Sequence, residues 1–332
     1  MTPTSNHTTP AYRLVVDGKD ITPTVRALLV GLSLTEARGD DADTLDLSLS
    51  DHDGALALPP KGAIITLALG WLGQALVDKG TFKVDEVEHG GAPDVLTIRA
   101  RAADLSAQLR NRRDQSWHAK TLGDIVNTIA QRNSLTPRVA PALASRAIAH
   151  IDQTNESDIA FLTRLAQRFD AVATVKAGCL LCLPKGSNTT ASGKTLPTIT
   201  LTRASGDRHS YKTADRDSYT GVVAYWHDGA QANRKSEAVG TRVNAKTLKD
   251  TYANAADAQQ AAQAAWQRIQ RGLATMTLML AQANPALVPE TPARVSGFKR
   301  EIDGTDWCVV RVSSHLDESG YTQGVEMELG GV

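Results

Sequence analysis

No apolar run in this chain approaches the ~20 residues that a membrane-spanning helix needs, so a helical membrane anchor is not expected. Charge of one sign is missing too. Lys+Arg and Asp+Glu are both 36, and the formal net charge is zero. General binders of nucleic acid or of membrane surfaces carry a basic excess, so neither class fits. Cysteine is scarce: three residues cannot all pair within one chain, which fits a reduced, cytosolic origin. The opening stretch MTPTSNHTTPAYR has neither a basic start nor an apolar segment. It reads as a flexible arm over residues 1–11 rather than a secretory leader.

Signatures of reaction chemistry are equally thin. Ser192-Gly193-Lys194-Thr195 suggests a phosphate-binding loop, but that motif needs a glycine where Asn188 stands. Leu196-Pro197 follows directly, so no helix N-terminus can lie under a phosphate. Cys179-Leu180-Leu181-Cys182 has half-zinc or redox spacing, yet no second pair completes four ligands. It lies in an apparent strand, where side chains three apart point to opposite faces. These cysteines, and Cys308, therefore read as small hydrophobes. The eight histidines include no HExxH, and no GxSxG elbow occurs. His227-Asp228 and His315 read as strand-end or turn residues. A carboxylate pair for glycan cleavage is defined by separation in space and has no sequence signature. Arg110, Arg112 and Arg113 form the one compact basic cluster, read as a solvated turn or polar subunit contact. No catalytic, cofactor-binding or metal-ligating residue is assigned.

What is present is strands. Leu45, Leu47 and Leu49 alternate with polar residues over Thr44–Ser50, the period of a half-buried strand. Tyr12–Val16, Ile64–Leu69, Thr81–Glu88 and Val95–Arg101 read likewise, and Asp17-Gly18 marks a turn. Short strands separated by Gly, Pro and Asp suggest a small antiparallel barrel or sandwich over 12–103. A mixed module follows over 104–170. It starts with a helical piece from Asp104 to about Arg110. Thr121 then caps a helix with Asp124 in the capping-box position, and Leu122, Ile125, Val126 and Ile129 share one face. Asn155 reads as the cap of a second amphipathic helix over 155–169, with Asp158 in its first turn. Ile159, Leu162, Leu165, Ala166 and Phe169 line its apolar stripe, and Arg164 and Arg168 lie opposite. A second β-rich unit over 171–332 contains a loop at 185–197, strands at Thr198–Arg203, Ser218–His227 and Ala274–Ala281, and an Ala-rich helix over 254–271. Asn254 caps that helix, Arg268 and Arg271 occupy its last turn, and Gly272 ends it. Asp303-Gly304 is expected to turn a hairpin between Val295–Ile302 and Trp307–Val312.

Four pieces in this order resemble one known family. DQTNESDIAFLTRLAQRF at Asp152–Phe169 is similar to the signature helix of the late control D family, the tail hub proteins of P2-like contractile phages. The hub part of type VI secretion spike proteins shares it. TLGDIVNTIAQRNSL resembles the short helix before the signature, and the Ala-rich helix followed by LVPETPARVSGF resembles the family's C-terminal layout. IDGTDWCVVRVSSHLDESGYTQGVEMEL carries the family's Trp, His and Gly-Tyr. The resemblance runs from about Tyr12 to Leu329.

The resemblance implies an α+β, mainly β fold: two tube-like antiparallel β-barrel domains, an inserted mixed helical module and the Ala-rich helix. It carries over only fold-bearing residues: Asn155, Glu156, Ser157, Asp158, Phe161, Leu162, Leu165, Ala166, Trp307, His315, Gly320 and Tyr321. It implies a non-enzymatic hub of the tail baseplate in the virion, assembled in the host cytoplasm as a homotrimer. Its implied partners are the tail spike, the tail tube or tube initiator, baseplate wedge proteins and the tape measure protein. No cofactor, no membrane in the resting state and no specific nucleic acid are implied. The chain ends at Val332 without a spike repeat, so a separate spike protein is expected. Two other classes stay open. A DNA-binding late-gene regulator would show salt-dependent DNA binding. A cell-wall hydrolase would lose peptidoglycan cleavage with one carboxylate pair, although the chain has no spare segment for an appended hydrolase domain.

Overall fold

A computed structural model describes residues 9–39, 42–103, 107–176, 178–189, 194–213, 219–229, 231 and 233–330. Seven strands come first: β1 Pro10–Val16, β2 Lys19–Asp20, β3 Leu29–Ala37, β4 Thr44–Ser50, β5 Ile64–Trp71, β6 Val77–Gly90 and β7 Val95–Ala102. A short helix, α1 Thr22–Val25, sits between β2 and β3. The alternation predicted for β4 holds: Leu45, Leu47 and Leu49 are buried, opposite Ala100, Ile98 and Leu96 of β7. Burying each such leucine contributes about 1.5–3 kcal/mol. Pro10 and Ala11, expected in the flexible arm, instead belong to β1, paired with Trp71 and Gly70; residues 1–8 of that expected arm lie outside the described residues. Strand β3 was not foreseen. Its inward side reads Leu32, Leu34, Glu36, and the carboxylate obscures the alternation. Glu36 is buried all the same, because Lys79 Nζ donates to it at 2.8 Å.

The middle of the chain begins with a 3-10 turn, Ala107–Arg110, where a longer helical piece was expected; Asp104, Leu105 and Ser106 lie outside the described residues. Next come β8 Arg112–Thr121, α2 Leu122–Arg132, β9 Thr136–Val139, α3 Pro141–Ala144, β10 Ala147–Ser157, α4 Asp158–Gln167, β11 Ala171–Lys176 and β12 Cys179–Pro184. The Thr121 capping box is formed in both directions, at 3.1 Å and 2.9 Å. The expected helix over 155–169 is shorter and capped differently. Ser157, not Asn155, accepts from the Ala160 N–H, at 3.3 Å. Asn155 stands at a bulge in the β8–β10 pairing with φ +47°, a left-handed conformation that asparagine tolerates. Its N–H donates to Asp114 at 2.7 Å. The basic stretch around Arg112 is a strand rather than a turn. Ile159 and Phe169 are only half-buried, whereas Phe161 takes the central core position. The β11–β12 hairpin shares one core with α2 and α4, and Cys182 points into it while Cys179 is half-buried.

The last part holds β13 Ile199–Thr202, β14 Gly206–Thr213, β15 Gly221–Asp228, β16 Asn233–Gly240, β17 Ala245–Tyr252, α5 Ala255–Arg271, β18 Ala274–Leu280, β19 Pro292–Ser296, α6 Arg300–Asp303, β20 Asp306–Asp317 and β21 Gly320–Leu329. Asn254 caps α5 as expected, accepting from Asp257 N–H at 2.9 Å. Small Ala258 and Ala262 let α5 lie close on Val222 and Ala224 of β15. Asp303-Gly304 does not turn a two-residue hairpin. The strand stops at Ser296, and α6 intervenes because the Asp303 carboxylate accepts from Gly297 and Phe298 N–H at 3.0 Å, folding the chain back on itself. Among the described residues, no helix is long and apolar enough to cross a membrane.

The sheets show a mainly β molecule built on one long ladder. Its order is β14-β18-β21-β20-β3-β4-β7-β6-β5-β1-β2, with β19 joined to β20 and β13 to β19. Neighbours along the ladder are antiparallel, and β13–β19 is parallel. Strand β20 changes partner along its length. Asp306–Cys308 pair with β19, and Arg311–Asp317 pair with β3. Two separate cores hang on this ladder. Leu316 and Tyr321 of the β20–β21 hairpin enter the first, with β1 and β3 to β7. Trp307, Val309, Val312, Val325 and Met327 of the same hairpin enter the second.

Candidate functional site

The signature residues fall into separate places rather than one site. Asp158 is fully buried at the start of α4. Asn133 Nδ2 and Gln153 Nε2 each donate to its carboxylate at 3.0 Å, and Arg113 and Arg132 approach it at 3.5 Å. Arg113 of the basic cluster is thus turned toward Asp158, whereas Arg110 and Arg112 are exposed. Glu156 holds Arg164 at 2.7 Å. Phe161 stacks on Trp117, with ring centroids 6.1 Å apart, and Leu162, Leu165 and Ala166 fill the same core. Trp307 donates to the Ile302 carbonyl at 3.3 Å and ties β20 to α6. Tyr321 packs on Trp71 at 5.4 Å, and Gly320 takes φ +131° in the turn between β20 and β21. His315 lies inside β20, not at a strand end, with its Nδ1 3.0 Å from Ser33 Oγ of β3.

A cluster that sequence reasoning missed joins these parts. Arg38, just past β3, pairs with Glu290 before β19 and with Glu328 on β21. Arg271, at the end of α5, holds Asp170 at 2.5 and 2.6 Å and reaches Glu328 at 3.1 Å. Glu290 also accepts from Gly186 N–H at 2.8 Å. The members come from the first core's strands, the middle module, α5 and the second core's strands, and the cluster lies where β20 changes partner. All five side chains are at most 19% exposed. Arg271 occupies the last turn of α5 as expected, and its charge is buried because Asp170 and Glu328 face it.

Three carboxylates face two guanidinium groups, and the balance is visible in the proton affinities. Burial raises the Glu290 pKa above that of an ordinary glutamate, against the pull of Arg38. Burial works against the Arg271 charge, but Asp170 outweighs it and its pKa is raised. Burial, helped by Glu290, pushes the Cys308 thiol up to about 12, and burial alone does the same to Cys182. Neither is a nucleophile at neutral pH. Two of the acids sit on left-handed backbone, Asp170 at φ +50° and Glu290 at φ +70°. Such positions persist only where the surroundings over-determine them. Removing one partner of a buried pair costs about 3–5 kcal/mol, so this geometry suits a rigid joint. Among the described residues, no group of three or more His, Cys, Asp and Glu side chains is arranged to hold a metal. Thr189 and Thr195 bridge across the 185–197 loop; Ser192 and Gly193 lie outside the described residues.

Comparison with known proteins agrees with this architecture. The family described as phage tail baseplate hub (GPD) matches residues 44–320. A probable baseplate hub protein of Escherichia phage 186 is 45% identical, over 96% of this chain and 93% of the relative. Its counterpart in Escherichia phage P2 is 44% identical, over 97% and 93%. A solved tail protein from Neisseria meningitidis MC58 shares the fold, with a TM-score of 0.70 at 15% identity over 96% of both chains. So does an E. coli type VI secretion component, with a TM-score of 0.56 at 13% identity over 91% of this chain and 74% of that one. With a family match over most of its length and relatives 44–45% identical across nearly all of it, the chain belongs to the phage tail baseplate hub family, structural components of the virion's tail.

Proposed function

We propose that three copies of this chain close into a ring that adapts the six-fold tail tube to a three-fold membrane-piercing spike. The observation that carries this is the pair of β cores strung on one antiparallel ladder. Three chains then present six β units on the tube side, while the spike side keeps true three-fold symmetry. Each unit is tube-like in this reading, with the mixed module, including the β11–β12 hairpin that shares its core, set between them. A closed ring of this kind is a heterologous assembly. Its interfaces should be permanent and bury well over ~2,000 Å². Among the described residues, strand β14 has β18 as its one ladder neighbour, and β2 has β1. Such edges are natural places for pairing between subunits.

The role is mechanical. The hub passes sheath-driven force to the spike during puncture of the host, and the buried ionic joint keeps its parts moving as one body. The signature residues serve the fold: Asp158 and Phe161 in the module, Trp307 and Tyr321 in the two β cores. The spike, the tube or its initiator, the wedges and the tape measure protein are the partners in this scheme.

Native mass of the purified chain, alone and co-expressed with the spike of the same phage, tests the proposal. A trimer of 35.4 kDa chains, or a three-to-three complex with spike, is expected. A monomer or dimer that ignores the spike overturns it, and DNA binding in low salt would favour a regulator instead.

A further inference from the structure

Strands β8 and β10 form a two-stranded ribbon. Trp117, Ile148 and Ile151 pack its inner face into the module's core. On the open face two successive cross-strand pairs stand side by side, Ser116 opposite Asp152 and His118 opposite His150. The two imidazole Nδ1 atoms are 3.0 Å apart, in rings tilted by 26° with centroids 4.5 Å apart. His150 Nε2 lies 3.0 Å from Asp152 Oδ2, and the Ser116 hydroxyl donates to the other carboxylate oxygen at 2.6 Å. About half of the His150 and Asp152 side-chain surface is open to solvent (50% and 48%).

The hydrogen bonds set the tautomers. A carboxylate only accepts, so His150 Nε2 donates to Asp152 and a neutral His150 carries its lone pair on Nδ1. The proton between the rings then belongs to His118 Nδ1. If that proton moves to His118 Nε2, the lone pairs of both Nδ1 atoms are free to bind one cation between them. Imidazole nitrogens bind zinc at about 2.0–2.1 Å, so two of them 3.0 Å apart subtend roughly 91–97° at the metal, within reach of adjacent ligands. Asp152 behind His150 is the carboxylate that commonly fixes a ligating histidine.

We propose that His118 and His150 chelate a divalent transition-metal cation of the zinc and copper class, with Asp152 as the positioning residue for His150. Imidazole suits these metals. The remaining coordination positions face solvent, where water or a donor from a neighbouring chain can fill them. The site is independent of the hub reading and stands or falls separately from it.

Calorimetric titration of the full chain, free of any affinity tag, with zinc and with copper(II) tests the proposal. One saturable equivalent per chain is expected. H118A and H150A should each abolish it, while thermal unfolding without metal stays unchanged because both side chains are at the surface. D152N should weaken binding by roughly tenfold or more. H227A, on the distant strand β15, should bind like the parent. Absence of saturable binding by either metal, or binding that survives in the double variant H118A/H150A, overturns the site. Binding indifferent to D152N overturns the positioning role of Asp152.

Discussion

Glu290 shows how one side chain answers to its surroundings. The folded protein holds the Glu290 proton at pH values where the unfolded chain has released it, because burial raises the folded pKa. The stability linked to that proton is complete below the ordinary glutamate range, and it is lost as pH climbs through the raised folded value. Glu290→Gln removes the proton equilibrium. The wild-type chain should therefore lose stability relative to this variant as pH rises from about 4, as urea midpoints measured from pH 4 to 8 would show. A parallel pH dependence in both proteins would contradict the assignment. Arg271→Ala probes the same joint differently. It leaves Asp170 and Glu328 buried without their cation and should cost about 3–5 kcal/mol, read as a drop in denaturant midpoint.

At the scale of elements, the join of β10 and α4 turns on two nearby polar residues with different tasks. Ser157 caps α4, so Ser157→Ala should cost about 1 kcal/mol. Asn155 holds a left-handed turn and no cap, so Asn155→Gly should be nearly neutral by thermal denaturation, and a loss approaching that of Ser157→Ala would contradict this. This stretch also shows what was legible in the sequence. The Thr121 capping box is local, with both partners inside four residues, and it formed as read. The choice between Asn155 and Ser157 was not local. It depends on Asn133, Gln153, Arg113 and Arg132 closing around Asp158 from three other elements. Strands with clean alternation, such as β4, could be read directly. Strand β8 could not, because Trp117 is its one fully inward apolar residue amid arginine, glutamine and histidine. The ionic joint had no sequence signal at all: Arg271 finds Asp170 across 101 positions, and Arg38 finds Glu328 across 290.

At the scale of the molecule, the β20–β21 hairpin contributes to both β cores. Damage at one end should be felt at the other. Tyr321→Ala empties a buried site beside Trp71 in the first core and should cost about 3–5 kcal/mol. Calorimetry should show both β units melting together at a lower temperature. A split into two transitions, with the second unit unmoved, would mean that the shared hairpin does not couple them.

The pairing of β3 with β20 has a further consequence, for how the chain is made. Ser33 and His315, in contact across that pair, are 282 positions apart. At about 5–20 residues per second, a ribosome leaves β3 without this neighbour for roughly 15 to 60 s. During that interval β3 exposes a bare row of backbone donors and acceptors, an open template for any strand nearby. Nascent chains on one polysome are the nearest strands available. A protein whose first sheet strands are paired by one of its last strands is thus most prone to join the wrong copy of itself before synthesis ends, and its yield should depend on the chaperones that meet it there.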